Sequence, residues 1–256
     1  MGGGGGVLID TVVLAGGADR GELAATTGIS YRPLLDVGGQ PLIVRLLGAL
    51  RASDQVGRIA VVAPEPVLAA TADQKVDLRV LSGESFIDNL LSGVDALASP
   101  YVLIVTGDLP LLSVAAVDEF IDRSLAAEAE ITYPIIPKEV CEARFPGGKR
   151  TWVRLRDGVF TGGNAVTLTR DFANRSRGLI AGLYASRKNP LKLASLLGFG
   201  FVIGLLCGRL TLADIERRAS AIVSGRARAI ICSHPELGFD VDKLSDLETA
   251  RRALGA

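Results

Sequence analysis

Short runs of β-branched and aliphatic residues alternate with stretches whose apolar residues recur every three or four positions, and this alternation constrains the fold more than any other feature. Thr11 to Ala15 (TVVLA) predicts a buried strand, as do Arg58 to Ala63 (RIAVVA), Leu78 to Leu81 and, most strongly, Tyr101 to Thr106 (YVLIVT). Pro41 to Ala52, Ser85 to Ala98 and Val114 to Ala129 have the helical period, and Ile131 to Ile136 returns to strand. Strands that alternate with helices build βαβ units, hence an α/β chain with a mostly parallel sheet covered by helices on both faces. Such sheets place their sites in loops at the carboxyl ends of the strands.

The second half is less regular. Pro137 to Arg150 (PKEVCEARFPGGKR) mixes proline, glycine and charge and predicts an excursion from the sheet. Thr151 to Arg156 and Val159 to Thr161, joined by Asp157-Gly158, predict a hairpin, and Asn164 to Leu168 a further strand. Helical patterns at Asp171 to Arg187, Pro190 to Gly208 and Thr211 to Ser224 predict a helical insertion over 171–224. Ala227 to Cys232 closes the core and Leu244 to Leu254 is a final amphipathic helix. With 256 residues, 48% of them hydrophobic, we expect one domain over 7–256. Met1 and Gly2 to Gly6 form a flexible lead-in without the basic and apolar regions of a secretory signal.

Composition excludes several chemistries. Lys+Arg and Asp+Glu are both 28, so a protein that lives on phosphate neutralisation of nucleic acid is not expected. Cys141, Cys207 and Cys232 are isolated and odd in number, which fits a reducing cytoplasm and neither a disulfide framework nor a CxxC zinc pair. Cys207 and Cys232 stand in apolar runs and are expected in the core. The single histidine, His234, excludes a multi-imidazole zinc site and is expected in a loop. Trp152, Phe160 and Phe172 are expected to pack rather than stack on a base.

Three loops carry candidate chemistry. Leu14-Ala15-Gly16-Gly17 leaves the first strand, and its adjacent glycines permit either a close ligand approach or merely a tight turn. It is neither GxGxxG nor Walker A, and Gly147 to Thr151 fails the Walker spacing because Ala143 stands where glycine is needed. Asp108, in Thr106-Gly107-Asp108-Leu109-Pro110, follows the most hydrophobic strand. The next helix starts near Ser113, a good N-cap of its own, which leaves Asp108 free to bind Mg²⁺. Asp240 and Asp242 alternate after the last strand, which puts both carboxylates on one side of an extended chain; two solvated loop acids would look the same.

The order of these pieces, LAGG-x-x-R, then Pro-Leu-Leu-x-x-Gly-Gly-x-Pro-Leu, then TGDLPLL and finally FDVDKLSDLETA, resembles the MobA-like nucleotidyltransferases over Thr11 to about Leu254. The segment YPIIPKEVCEARFPGGKRTWVRLRDGVFTGGN is similar to a MobA-related subgroup of unassigned acceptor. The resemblance implies a Rossmann-like fold and Mg²⁺-dependent transfer of NMP from an NTP, GTP or CTP first, to a phosphorylated small molecule. It assigns Leu14, Ala15, Gly16, Gly17, Gly83 and Glu84 to the nucleotide, with Arg20 on its β- and γ-phosphates. It assigns Asp108 and either Asp240 or Asp242 to the metal, and Gly163 and Asn164 to the acceptor side, within an excursion over 137–164. Arg32 stands where the family usually has lysine; it keeps the charge but is bulkier.

The implied nucleophile, an acceptor phosphate oxygen, is already ionised near neutral pH, so one histidine suffices. Arg20 and Arg32 would neutralise the departing pyrophosphate. Arg144, Lys149, Arg150 and Arg154 form an acceptor-phosphate clamp or a solvated charged loop. The competing readings are a nucleotide-binding protein that has lost catalysis and a membrane-peripheral protein anchored by 191–210 (LKLASLLGFGFVIGLLCGRL). That stretch is too short to span a bilayer upright. Its glycines at 198, 200, 204 and 208 predict a small-residue helix stripe. We expect it to pack in the core, ahead of forming a homodimer contact or lining a pocket for an apolar acceptor tail, so that Gly204→Leu destabilises the fold.

Overall fold

A computed structural model describes residues 8–19, 21–148, 150–186 and 198–255. Among them, nine strands form one sheet: β1 (Ile9–Leu14), β2 (Val56–Ala63), β3 (Leu78–Leu81), β4 (Tyr101–Thr106), β5 (Ile131–Pro137), β6 (Val153–Leu155), β7 (Gly158–Gly162), β8 (Ala165–Thr169) and β9 (Ala227–Ile231). β3, β2, β1 and β4 lie side by side, all parallel. β8 inserts antiparallel between β4 and β5, and β9 pairs parallel with β5. β7 pairs antiparallel with the later half of β5 and forms a hairpin with β6. β1 has β2 on one side and β4 on the other, so the loops leaving β1 and β4 border the crevice where chain order reverses.

Among the described residues the helices are α1 (Glu22–Thr27), α2 (Leu42–Ala52), α3 (Glu65–Ala69), α4 (Phe86–Ala96), α5 (Val114–Ala126), α6 (Lys138–Arg144), α7 (Arg170–Arg175), α8 (Arg177–Ser186), α9 (Phe199–Leu206), α10 (Leu212–Val223) and α11 (Leu244–Ala253). Alternate residues of β1 serve the two faces. Ile9 and Val13 join α2 and α5 in one core cluster, while Val12 and Leu14 join α4 and Phe172 in another. Ser113 caps α5, accepting a hydrogen bond from the Ala116 amide (3.2 Å), as its sequence position predicted. Phe160 and Phe172 are buried and Trp152 packs against the core, again as expected.

The C-terminal half corrects four expectations. The helix expected over Asp171 to Arg187 breaks at Ser176 into α7 and α8. Of the helix expected over Pro190 to Gly208, residues 190–197 lie outside the described residues, as does the lead-in Gly2 to Gly6. Gly198 (φ 85°) and Gly208 (φ 63°) flank α9 in left-handed conformations, so within α9 only Gly200 and Gly204 remain of the small-residue stripe. Core packing is overturned for the described part of the segment 191–210, because no residue of α9 is buried; 191–197 lie outside the described residues. Cys207 is exposed with it, whereas Cys232 is buried as expected. The physical reason is position: both faces of the central sheet are already covered, and α9 lies at the marginal strand β6.

Candidate active site

β1 and β4 end side by side. The Gly107 amide donates to the Leu14 carbonyl (2.9 Å), and a Cβ on Gly107 would stand 2.6 Å from the Ala15 Cβ. Glycine alone permits that approach, which ties the Leu14–Gly17 loop to the base of Asp108. Across the loop, a Cβ on Gly16 would meet the Ser82 side chain at 3.4 Å. Asn89 of α4 holds the next loop from below: the Gly83 amide donates to Asn89 Oδ1 (2.7 Å) and Asn89 Nδ2 donates to the Gly83 carbonyl (3.1 Å). The predicted nucleotide residues Leu14, Ala15, Gly16, Gly17, Gly83 and the exposed Glu84 therefore share one rim. Asn89 was not anticipated, although the Ser85 cap that starts α4 placed it in the first turn under that loop.

Asp108, Asp240 and Asp242, 132 or more positions apart along the chain in the first case, meet at the same edge. The Val241 amide donates to the Asp108 carbonyl (3.2 Å), and one oxygen of each carboxylate lies within 4.8 Å of the others. Asp108 Oδ1 is buried without a hydrogen-bond partner. Burial, with the Asp240 charge added, pushes the Asp108 carboxyl up to about 6. Burial and the Asp242 charge likewise raise Asp240. Arg32, in the 3₁₀ turn Arg32–Leu34, reaches into this group. Its Nη1 donates to Asp242 Oδ1 at 2.5 Å and stands 3.9 Å from Asp108 Oδ2, and its Nε faces Asp19 Oδ2 at 3.5 Å. Asp19, which also accepts the Gly21 amide (2.8 Å), was not anticipated. Arg20 lies outside the described residues. A buried carboxylate oxygen without a donor is costly, and an all-oxygen donor set suits a hard divalent cation. The three acids fit Mg²⁺.

Beyond the acids opens a cavity of about 830 Å³, lined by Tyr133, Arg150, Gly163, Asn164, Asp240 and Lys243 among others. Asn164 is held from two sides: its amide donates to the Leu237 carbonyl (2.7 Å) and its carbonyl accepts the Thr106 amide (3.3 Å), and its nearness to Asp240 partly offsets the rise of that carboxyl. A Cβ on Gly163 would strike Pro134 Cγ at 2.9 Å and the Leu237 carbonyl at 3.0 Å, so this floor requires glycine. Arg150 donates to the Gly238 carbonyl and lies 5.6 Å from the Phe239 ring. The cluster of basic residues does not converge: Arg144 lies over Phe145, Arg154 is exposed on β6 away from the cavity, and Lys149 lies outside the described residues. His234 pairs with Glu236 (3.5 Å) in the loop, as expected of a structural histidine. Tyr133, Phe239 and Lys243 line the cavity without a signal of their own in the sequence.

Residues 11–157 match the MobA-like NTP transferase domain. The chain belongs to that family. Like its family, it is a nucleotidyltransferase. A solved hypothetical transferase from Thermus thermophilus is 37% identical, with a TM-score of 0.85, over 94% of this chain and 100% of that one. The fold is also that of CMP:2-keto-3-deoxy-manno-octonic acid synthetase complexed with CTP (14% identity, TM-score 0.63, 97% and 98% covered). A nucleotidyl transferase from Methanothermobacter thermautotrophicus shares it too (20%, 0.60, 98% and 99%). No curated protein matches. Among the described residues no helix is long and apolar enough to cross a membrane.

Proposed function

We propose that the chain is a Mg²⁺-dependent enzyme that transfers NMP from an NTP to a phosphorylated small molecule and releases pyrophosphate, with residues 7–256 acting as one domain in the cytoplasm. The observation that carries this is the buried, partnerless Asp108 Oδ1 beside Asp240 and Asp242, between the glycine loops and the 830 Å³ cavity. Asp108 and Asp240, with Asp242 at the rim, would hold Mg²⁺, which when bound supplies positive charge at the α-phosphate. The backbone of Leu14 to Gly17 and the Gly83–Glu84 loop take the nucleotide, with GTP and CTP as the first bases to test. Arg32 leaves Asp242 to bring its positive charge to the triphosphate, and Arg20 helps to neutralise the leaving pyrophosphate.

The acceptor enters on the side of Arg150, Gly163 and Asn164, with Lys149 on the same loop. An ionised acceptor phosphate oxygen attacks the α-phosphorus; the bond to the β-phosphate oxygen breaks, and pyrophosphate departs with that electron pair. No proton has to move, so the protein's work is alignment and charge. The test is a thermal-shift screen of the four NTPs with Mg²⁺, followed by pyrophosphate release across a panel of phosphorylated metabolites. Release that needs NTP, Mg²⁺ and one acceptor together supports the proposal. Tight NTP binding with no release across the panel favours a binding protein that has lost catalysis.

A further inference from the structure

α9 sets Phe199, Ile203 and Leu206 at spacings of four and three, on one side of the helix, with 76%, 46% and 82% of their surface exposed. From Gly198 to Gly208 the chain carries no charge. Arginine stands at both ends. A Cβ on Gly198 would lie 3.6 Å from the guanidinium of the half-buried Arg218, one on Gly208 would lie 3.9 Å from the Arg154 Cβ, and Arg209 follows directly. Arg154, Arg156 and Arg209 are exposed, and among the described residues none of them is paired with a carboxylate. The nearby acids are engaged elsewhere: Asp157 accepts the Leu212 amide, and Asp214 closes the capping box of α10 with Thr211 and pairs with Arg217. The Arg156 amide donates to the Leu210 carbonyl (2.9 Å), which fixes the end of the segment to the β6–β7 hairpin.

We propose that α9 and its arginine rim form a docking surface for an anionic lipid bilayer, with the helix lying in the headgroup plane. One phenyl and two aliphatic side chains fall well short of the roughly 800 Å² per partner that a stable protein interface buries. Eight residues make about 12 Å of helix, less than half the thickness of a bilayer core. A short apolar stripe rimmed by cations, with the nearby acids tied into backbone hydrogen bonds, matches an interfacial site instead, where apolar side chains enter the acyl boundary and guanidinium groups meet lipid phosphates. The hairpin that carries α9 also lends Val153 and Thr161 to the lining of the cavity, so docking brings this edge of the cleft to the lipid surface.

The test is co-sedimentation of the full chain with phosphatidylglycerol and with phosphatidylcholine vesicles. Binding to the former is expected to be roughly tenfold or more tighter and to weaken in high salt. Phe199→Ser with Leu206→Ser lowers it by a similar factor at unchanged melting temperature, since both positions are exposed. Arg154→Glu with Arg209→Glu removes the preference for phosphatidylglycerol. Failure to sediment with either vesicle overturns the proposal, as does binding indifferent to the α9 substitutions. A lipid-free dimer that those substitutions dissociate overturns it in favour of a second copy of the chain.

Discussion

β4 and α9 are both built almost wholly from aliphatic and aromatic residues, and the protein treats them in opposite ways. Val102 to Val105 of β4 are buried between β1 and β8 with helices above and below, whereas nothing in α9 is buried. Apolar composition sets what burial is worth; the topology decides whether neighbours are present to supply it. The difference extends to function. The rigid end of β4 positions Asp108 within reach of acids more than 130 residues away in sequence, a placement that needs a backbone held from both sides. α9 offers surface and holds nothing.

The sharpest way to probe the β4 side is Asp108→Asn. Turnover is expected to fall by on the order of a thousandfold, since a charge at a triphosphate–metal site is worth several kcal/mol. The fold should gain. An acid held at about 6 rather than 3.8 keeps its proton longer in the folded state, so between about pH 4 and 6 the folded protein binds more protons than the unfolded one. The stability of the metal-free protein therefore declines as pH rises through that window and stays low above it. Asparagine removes the decline and should add roughly 2 kcal/mol at neutral pH, about 5 °C in Tm. Near wild-type turnover, or a lower Tm in the variant, would sink the assignment.

Next in size is the core itself. Phe120 on α5 is 1% exposed, and Phe120→Ala should cost about 3–5 kcal/mol in chemical denaturation. Leu206→Ala, at a position 82% exposed, should stay within about 0.5 kcal/mol. Comparable losses at the two positions would erase the contrast between the regions.

Arg32 comes third. Arg32→Ala should lower turnover roughly a hundredfold, and Arg32→Lys should retain or raise it, because the charge rather than the fork is what the three acids and the phosphates require. Equal activity of all three forms would mean that the contacts to Asp242 and Asp19 serve only the resting structure.

These contrasts match what could be read from residues alone. Tyr101 to Thr106 is a strand with the predicted bounds, because a continuous apolar run between polar ends has few other uses in a parallel sheet; Leu78 to Leu81, interrupted by Arg79, also keeps its predicted bounds, at the edge of the sheet. Asp108 was legible because it follows the most hydrophobic strand, where open α/β sheets bind ligands, and Asp240 and Asp242 were legible only through the family resemblance. Asp19, Asn89 and Tyr133 were not. Asp19 matters through Arg32, Asn89 through the Gly83 loop and Tyr133 through the cavity wall, and none of these contacts has a local pattern. The sequence of α6 predicts an excursion because proline and glycine flank it, although Cys141 and Phe145 are buried. For α9, periodicity indicates which face is apolar but is silent on whether anything covers it.

The finest comparison is between two helix glycines. A Cβ on Gly93 of α4 would lie 2.5 Å from Val12 Cγ1 and 2.9 Å from Val62 Cγ2. Both are β-branched side chains on central strands, stiff about χ1 and closed in by the sheet, so they cannot yield without moving backbone. Gly93→Ala should therefore cost about 1–3 kcal/mol, despite the gain in helix propensity. The nearest atoms to a Cβ on Gly204 of α9 belong to Leu210, 2.9 Å away at Cδ2 and 3.3 Å at Cγ. Leu210 is half-buried and its tip can rotate, so most of the clash relaxes. Replacing glycine recovers up to about 1 kcal/mol of helix propensity. The expectation from sequence that Gly204→Leu destabilises the fold gives way to a change smaller than about 1 kcal/mol. Paired urea titrations of Gly93→Ala and Gly204→Leu measure both on one scale. A loss at Gly204 as large as the one at Gly93 would mean that α9 is packed as tightly as α4, and the contrast between the two regions would fail at its most local point.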